Sequence, residues 1–118
     1  MLSMVTKSSE RTALDLLRYV EGAGQLGHVV TVLAELAEVM DGDRLVEAVK
    51  LEPGLATAQR LGHLLALVGA ESLVAPLAAW IATERPRYVA LRTDRSGRRA
   101  RRDERFRVIV NERLEAER

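Results

Sequence analysis

Ten arginines fall within residues 85–107, and eight of them, Arg92, Arg95, Arg98, Arg99, Arg101, Arg102, Arg105 and Arg107, crowd the stretch from 92 onward. A guanidinium presents a planar fork of donors that matches phosphate and carboxylate oxygens in pairs, so a dense set of them is a natural anion grip. Only Asp94, Asp103 and Glu104 oppose them, which leaves residues 85–107 at a net charge of +7. Residues 1–84 hold six Lys or Arg against eleven Asp or Glu, a net of −5. The formal +1 of the whole chain therefore hides an acidic body and a basic C-terminal feature. A charge run alone is unspecific, and three readings stay open: a solvated loop without a partner, a surface for nucleic-acid phosphates, and a surface for an acidic protein.

The other residues able to do chemistry are few. There is no cysteine, which excludes disulfides, thiolate metal sites and a cysteine nucleophile. His28 and His63 are the two histidines, and neither has neighbours that would complete a zinc site or a serine triad. His63, among Leu61, Leu64 and Leu65, reads as a hydrogen-bonded packing residue, and His28 as a first-turn residue of its helix. Asp41 and Asp43 are of the type that binds divalent cations, but a turn and a helix cap account for both. Gly22-Ala23-Gly24-Gln25-Leu26-Gly27 spells the G-x-G-x-x-G of dinucleotide-binding loops. That chemistry needs a preceding strand; a helical pattern precedes these glycines, so a helix-to-helix turn is expected. No nucleophile, base and orienting group can be nominated together, and the expectation is a binding protein, not an enzyme, with no cofactor and no metal.

The elements that must position the arginines are mainly helical. At 118 residues the chain reads as a single domain, 1–118, because one core of this size buries about 60–70% of the unfolded surface. Leu2–Thr6 alternates as a short strand. Ser8 or Ser9 offers an N-cap for a helix through about Val20, with Glu10 favourably placed in its first turn. A second helix is expected from about Gln25 to Met40, with Leu26, Val29, Val30, Leu33, Leu36, Ala37 and Met40 as a broad inward stripe and Glu35 and Glu38 outward. Asp43 is placed to cap a short third helix, Arg44 to Lys50. A fourth runs from about Leu55 to Val68, with Leu61, Leu64, Leu65 and Val68 on one side, and a fifth, with Pro76 in its first turn, ends near Glu84.

Residues 85–111 are β-rich. Arg87–Arg92 and Arg105–Asn111 are expected to pair as antiparallel strands, with Thr93–Glu104 as an Arg-rich connecting loop. Alternation sets Arg105 and Arg107 on the face opposite Phe106 and Val108. The expected fold class is α+β, mainly α: about five packed helices over 9–84, then a small antiparallel sheet or hairpin.

Hydrophobic residues at 47% and charged residues at 30% describe a globular chain rather than a disordered one. Tyr19, Trp80, Tyr88 and Phe106 are its aromatic residues, so the core must be aliphatic and base stacking is a minor theme. Leu61–Ala82 carries a single charged residue, Glu71, over a length that could cross a bilayer. Gly69-Ala70-Glu71-Ser72 breaks it with a helix stop and start, and no membrane span is expected. Met1–Glu10 has no apolar run of signal-peptide length, and a cytoplasmic location is expected.

Three segments carry a resemblance to a known family. In order, they are Ser8-Ser9-Glu10-Arg11-Thr12-Ala13-Leu14-Asp15-Leu16-Leu17, Gln59-Arg60-Leu61-Gly62-His63-Leu64-Leu65 and Arg105-Phe106-Arg107-Val108-Ile109-Val110-Asn111. Together they resemble the C-terminal domain of AbiEi-type (type IV) antitoxins, from about Val5 to Asn111. Ser9 stands where the family commonly has proline and Phe106 where it commonly has tryptophan. The resemblance implies a bacterial toxin–antitoxin system associated with phage defence. Its antitoxin opposes a nucleotidyltransferase toxin encoded beside it, which would be a direct or functional partner, and contributes to transcriptional autoregulation. In that family a winged helix-turn-helix domain precedes this one and binds the operator, while the C-terminal domain is implicated in antitoxicity. The chain begins where the second domain would begin, and is read as a fragment or a shortened natural form to which operator recognition does not carry over. The alternative function is an accessory nucleic-acid-binding module whose Arg-rich loop makes non-specific phosphate contacts.

Overall fold

The computed structural model describes residues 8–20, 26–93 and 95–112. Five helices, α1 (Ser9–Val20), α2 (Leu26–Leu36), α3 (Gly42–Lys50), α4 (Ala56–Leu67) and α5 (Glu71–Glu84), precede three short strands, β1 (Val89–Ala90), β2 (Arg101–Asp103) and β3 (Val108–Val110). The Leu2–Thr6 strand expectation lies outside the described residues, as do Gly22 and Gly24 of the glycine motif. No described helix is long and apolar enough to cross a membrane.

Everything is organised around α4. Ala58 to Leu65 are buried without a break, the signature of a helix covered on all sides rather than one with a solvent face. It packs against α1, α2 and α5 and against β1 and β3. Leu14, Leu33, Leu61, Leu64, Leu77 and Ile81 form the aliphatic centre. α4 ends in a Schellman motif: Gly69 takes a left-handed φ of 78°, and Ala70 N–H reaches back to Leu65 O at 3.1 Å. Glycine holds that conformation without a Cβ clash.

The caps differ in detail from the sequence expectations. Ser8 caps α1, its Oγ accepting from Arg11 N–H at 3.0 Å. Glu10 does more than sit in a first turn: it is buried and its carboxylate accepts from Asp41 N–H at 2.6 Å, tying α1 to the start of α3. The α3 cap is Asp41, not Asp43. Its Oδ2 accepts from Arg44 N–H at 2.9 Å, because the helix begins two residues earlier than expected and leaves Asp43 in its first turn. Pro76 lies inside α5, the sixth residue rather than in the first turn. Its ring abuts Gly42, where an added Cβ would stand 2.8 Å from Pro76 Cγ.

The sheet is mixed, in the order β1-β3-β2. The segments expected to pair antiparallel instead run parallel, with Val89 opposite Val108 and Ala90 opposite Ile109. Val89 N–H donates to Arg107 O and Leu91 N–H to Ile109 O, both at 2.9 Å. The antiparallel partner of β3 is β2, which comes from the middle of the expected Arg-rich loop. A second crossing of the sheet becomes possible because the 12-residue stretch from Thr93 to Glu104 is long enough to reverse direction and add a strand, whereas a tight hairpin loop is not.

Candidate interaction surface

Three polar residues of α4 fasten the β-rich segment to the helical body. Gln59, 1% exposed, donates from Nε2 to the carbonyls of Arg87, Phe106 and Arg107 at 2.8, 3.0 and 3.2 Å. Arg60 Nε donates to Ala90 O at 2.8 Å. His63 Nδ1 meets Asp103 Oδ2 at 2.7 Å, so this histidine is the hydrogen-bonded packing residue that its neighbours implied. His28 is exposed in the first turn of α2, remote in role from His63. Between these ties sits Gly62, where any Cβ would fall 2.2 Å from the Phe106 ring; the missing side chain is the socket into which Phe106 plugs.

Asp103 also shapes the turn. Its Oδ1 accepts from Arg105 N–H at 3.0 Å and Phe106 N–H at 3.2 Å, an Asx-type arrangement that folds residues 104–107 between β2 and β3. Burial works against ionising this carboxyl. The bonds from His63 and the two amides outweigh it and hold Asp103 below the usual carboxylate range. Glu52, in the α3–α4 connection, behaves alike: burial opposes its charge, and Arg18 at 2.5 Å together with Arg11 overcomes that.

These two carboxyls predict an acid transition. Their ordinary values are 3.8 and 4.5, and both are lower in the folded state, so folding releases protons and the stability they contribute is complete above about pH 5. It is lost as pH falls through the folded values. The urea midpoint should be flat from about pH 7 to 5 and drop below about pH 4, with a shallower drop for Asp103→Asn. A midpoint unchanged down to about pH 3 would contradict this coupling.

The eight sequence-nominated arginines are sorted by the fold into different environments. Arg92 is buried: its N–H donates to Asn111 Oδ1 at 2.8 Å and its Nη1 to Glu112 at 2.5 Å. It is part of the framework at the end of β1. Arg105 is exposed but paired with Glu71 at 2.8 Å across to α5, a bond that holds the Glu71 carboxyl below its usual range. Arg95, Arg98, Arg99, Arg101, Arg102 and Arg107 are exposed. Arg102 and Arg107 lie against Tyr88, 4.8 and 5.7 Å from the ring centroid, a cation–π arrangement that orients the guanidiniums and leaves their N–H edges free to act. Arg105 and Arg107 point out while Phe106 and Val108 are buried, as alternation implied, although Arg105–Arg107 form a turn rather than a strand.

Two members of this surface are absent from the sequence-derived set: Tyr88, and Arg85 at the C-terminal end of α5. Arg85 is a left-handed cap, φ 50°; the signal that could have located it is the Arg85-Pro86 pair closing a helix. Backbone geometry marks two more arginines. Arg99, φ 65°, occupies the third position of a turn closed by Ala100 N–H to Gly97 O at 3.1 Å, a place that favours Gly or Asn. Arg107, φ 55°, closes the β2–β3 connection.

Among the described residues, no three His, Asp or Glu side chains gather as a metal site. Exposed carboxylates of Glu35, Glu38, Asp41, Asp43 and Glu47 line the α2–α3 region, so the acidic charge of the body and the basic charge of the β-rich segment lie on separate elements.

The family model for the AbiEi antitoxin C-terminal domain matches residues 3–67. The match spans α1 to α4, including the first two segments that carried the resemblance. It ends before α5, so the third segment, 105–111, and the arginines lie beyond it. No curated protein and no solved structure gives a match.

Proposed function

This chain belongs to the AbiEi antitoxin C-terminal domain family, and from that premise we propose that it opposes a nucleotidyltransferase toxin encoded beside it and contributes to transcriptional autoregulation. The family carries the coarse part: an antitoxin role in a toxin–antitoxin system, with a toxin as partner. The finer part is supported by the resemblance of the three segments to AbiEi-type antitoxins and by the charge division. An exposed, oriented set of arginines suits an acidic patch on a protein partner, where complementary charge sets partner choice and association rate. The residues proposed to carry the contact are Arg95, Arg98, Arg99, Arg101 and Arg102. Arg92 supports them from within. The function is recognition rather than catalysis, and no cofactor enters it.

Co-expression of the chain with the neighbouring toxin gene tests this reading. Growth should be restored in cells that otherwise arrest; continued arrest in the presence of soluble, folded protein would count against it. A second reading, non-specific contact with nucleic-acid phosphates, is favoured by Tyr88 lying beside Arg102 and Arg107. A binding constant that does not weaken with added salt would remove that reading.

A further inference from the structure

Three non-glycine residues among those described have left-handed backbones, and all are arginines: Arg85, Arg99 and Arg107. A left-handed conformation is strained for an L-residue that carries a Cβ, and each of these positions, a helix cap, a turn and a hairpin end, is one that glycine or asparagine fills with less strain. Two of the three open onto the same cavity. It holds about 130 Å³ and lies between the end of α5 and the 104–107 turn, lined by Ile81, Arg85, Pro86, Glu104, Arg105 and Arg107. Arg85 and Arg107 have no ion-pair partner among the described residues, while Arg105 is neutralised by Glu71.

We propose that this cavity is a binding site for the phosphate or diphosphate group of a small molecule. Two unpaired guanidiniums offer five N–H donors each, more than a two-oxygen carboxylate can accept and well suited to a tetrahedral oxyanion. The Glu71 pair holds Arg105 in the wall without adding net positive charge, and the cation–π contact with Tyr88 steadies Arg107. Pro86 and Ile81, both buried, give the cavity a rigid apolar side. Two features oppose an anion: the Glu104 carboxylate in the wall and the negative end of the α5 dipole. The first of these makes the site tunable, since removing that charge strengthens it. The proposal concerns residues outside the family match and stands apart from the identity of the toxin.

The backbone geometry supplies a clean test, because Arg85→Gly and Arg107→Gly remove the guanidinium and relieve the left-handed strain together. Calorimetric titration of the full chain with inorganic pyrophosphate at low salt should show binding. Each glycine variant should weaken it about tenfold or more, the loss expected for one charge-assisted hydrogen-bonding partner, while its melting temperature stays level or rises. Glu104→Gln should bind more tightly. Absence of pyrophosphate binding overturns the proposal, as does affinity unchanged in both glycine variants. A parallel titration with duplex DNA lacking terminal phosphates separates the sources of phosphate: if the glycine variants weaken only that binding, the arginines belong to a nucleic-acid surface and the small-molecule site is refuted.

Discussion

Gln59→Glu is expected to cost roughly 3–5 kcal/mol at neutral pH and to release the β-rich segment from the helical body. The wild-type amide nitrogen faces three carbonyl oxygens, and it is the donor on which all three converge. A carboxylate there would bring a buried negative charge against three acceptors with no donor of its own. Burial and the three facing carbonyls would raise the pKa of that carboxyl, so acidification should recover part of the loss, since a protonated carboxyl donates one hydrogen. Gln59→Leu removes the donor without adding charge and should cost less, about 1–3 kcal/mol for the abandoned carbonyls. Urea denaturation at two pH values reads both effects. A Gln59→Glu midpoint close to wild type, or one that falls further on mild acidification, would contradict this role.

Phe106→Ala should cost about 3–5 kcal/mol, the range for deleting a buried aromatic ring. Phe106 is 0% exposed and its ring occupies the space over Gly62 that a side chain would otherwise fill. That geometry makes a second, sign-specific expectation. Gly62→Ala in the wild-type background forces the ring aside and destabilises by about 1–3 kcal/mol; in the Phe106→Ala background the new methyl enters the vacated space and should cost little or stabilise. The double-mutant cycle measures the coupling directly. Additive costs would mean that Gly62 and Phe106 do not meet as described.

The helices were legible because their apolar residues repeat at helical spacing, and the caps erred only by small shifts, as with Asp41 in place of Asp43. The sheet was legible in position but not in pairing. β1 and β2 are two and three residues long, and Arg101-Arg102-Asp103 has neither β-branched nor alternating apolar residues to announce a strand. What makes it one is the Asp103 turn and its tie to His63, a partner forty positions away. The same limit governed the arginines. Their concentration is plain in the chain, yet whether each is free depends on Glu71, Glu112 and Tyr88, whose proximity is a product of folding. Arg85 lies apart from the cluster that begins at Arg92 and enters the surface only through the left-handed end of α5.

The fold therefore joins a helical body, matched through α4 to an antitoxin family, with a basic hairpin that the match does not reach, fastened by Gln59, His63 and Phe106. The proposal that the hairpin carries the antitoxin's contact with a toxin is tested most directly by growth of cells expressing the proposed partner toxin together with wild-type chain or with the Arg98→Glu, Arg101→Glu, Arg102→Glu triple variant. Wild-type chain should restore growth, and the variant, with an unchanged melting temperature and soluble yield, should fail to. Full rescue by the charge-reversed variant would contradict it.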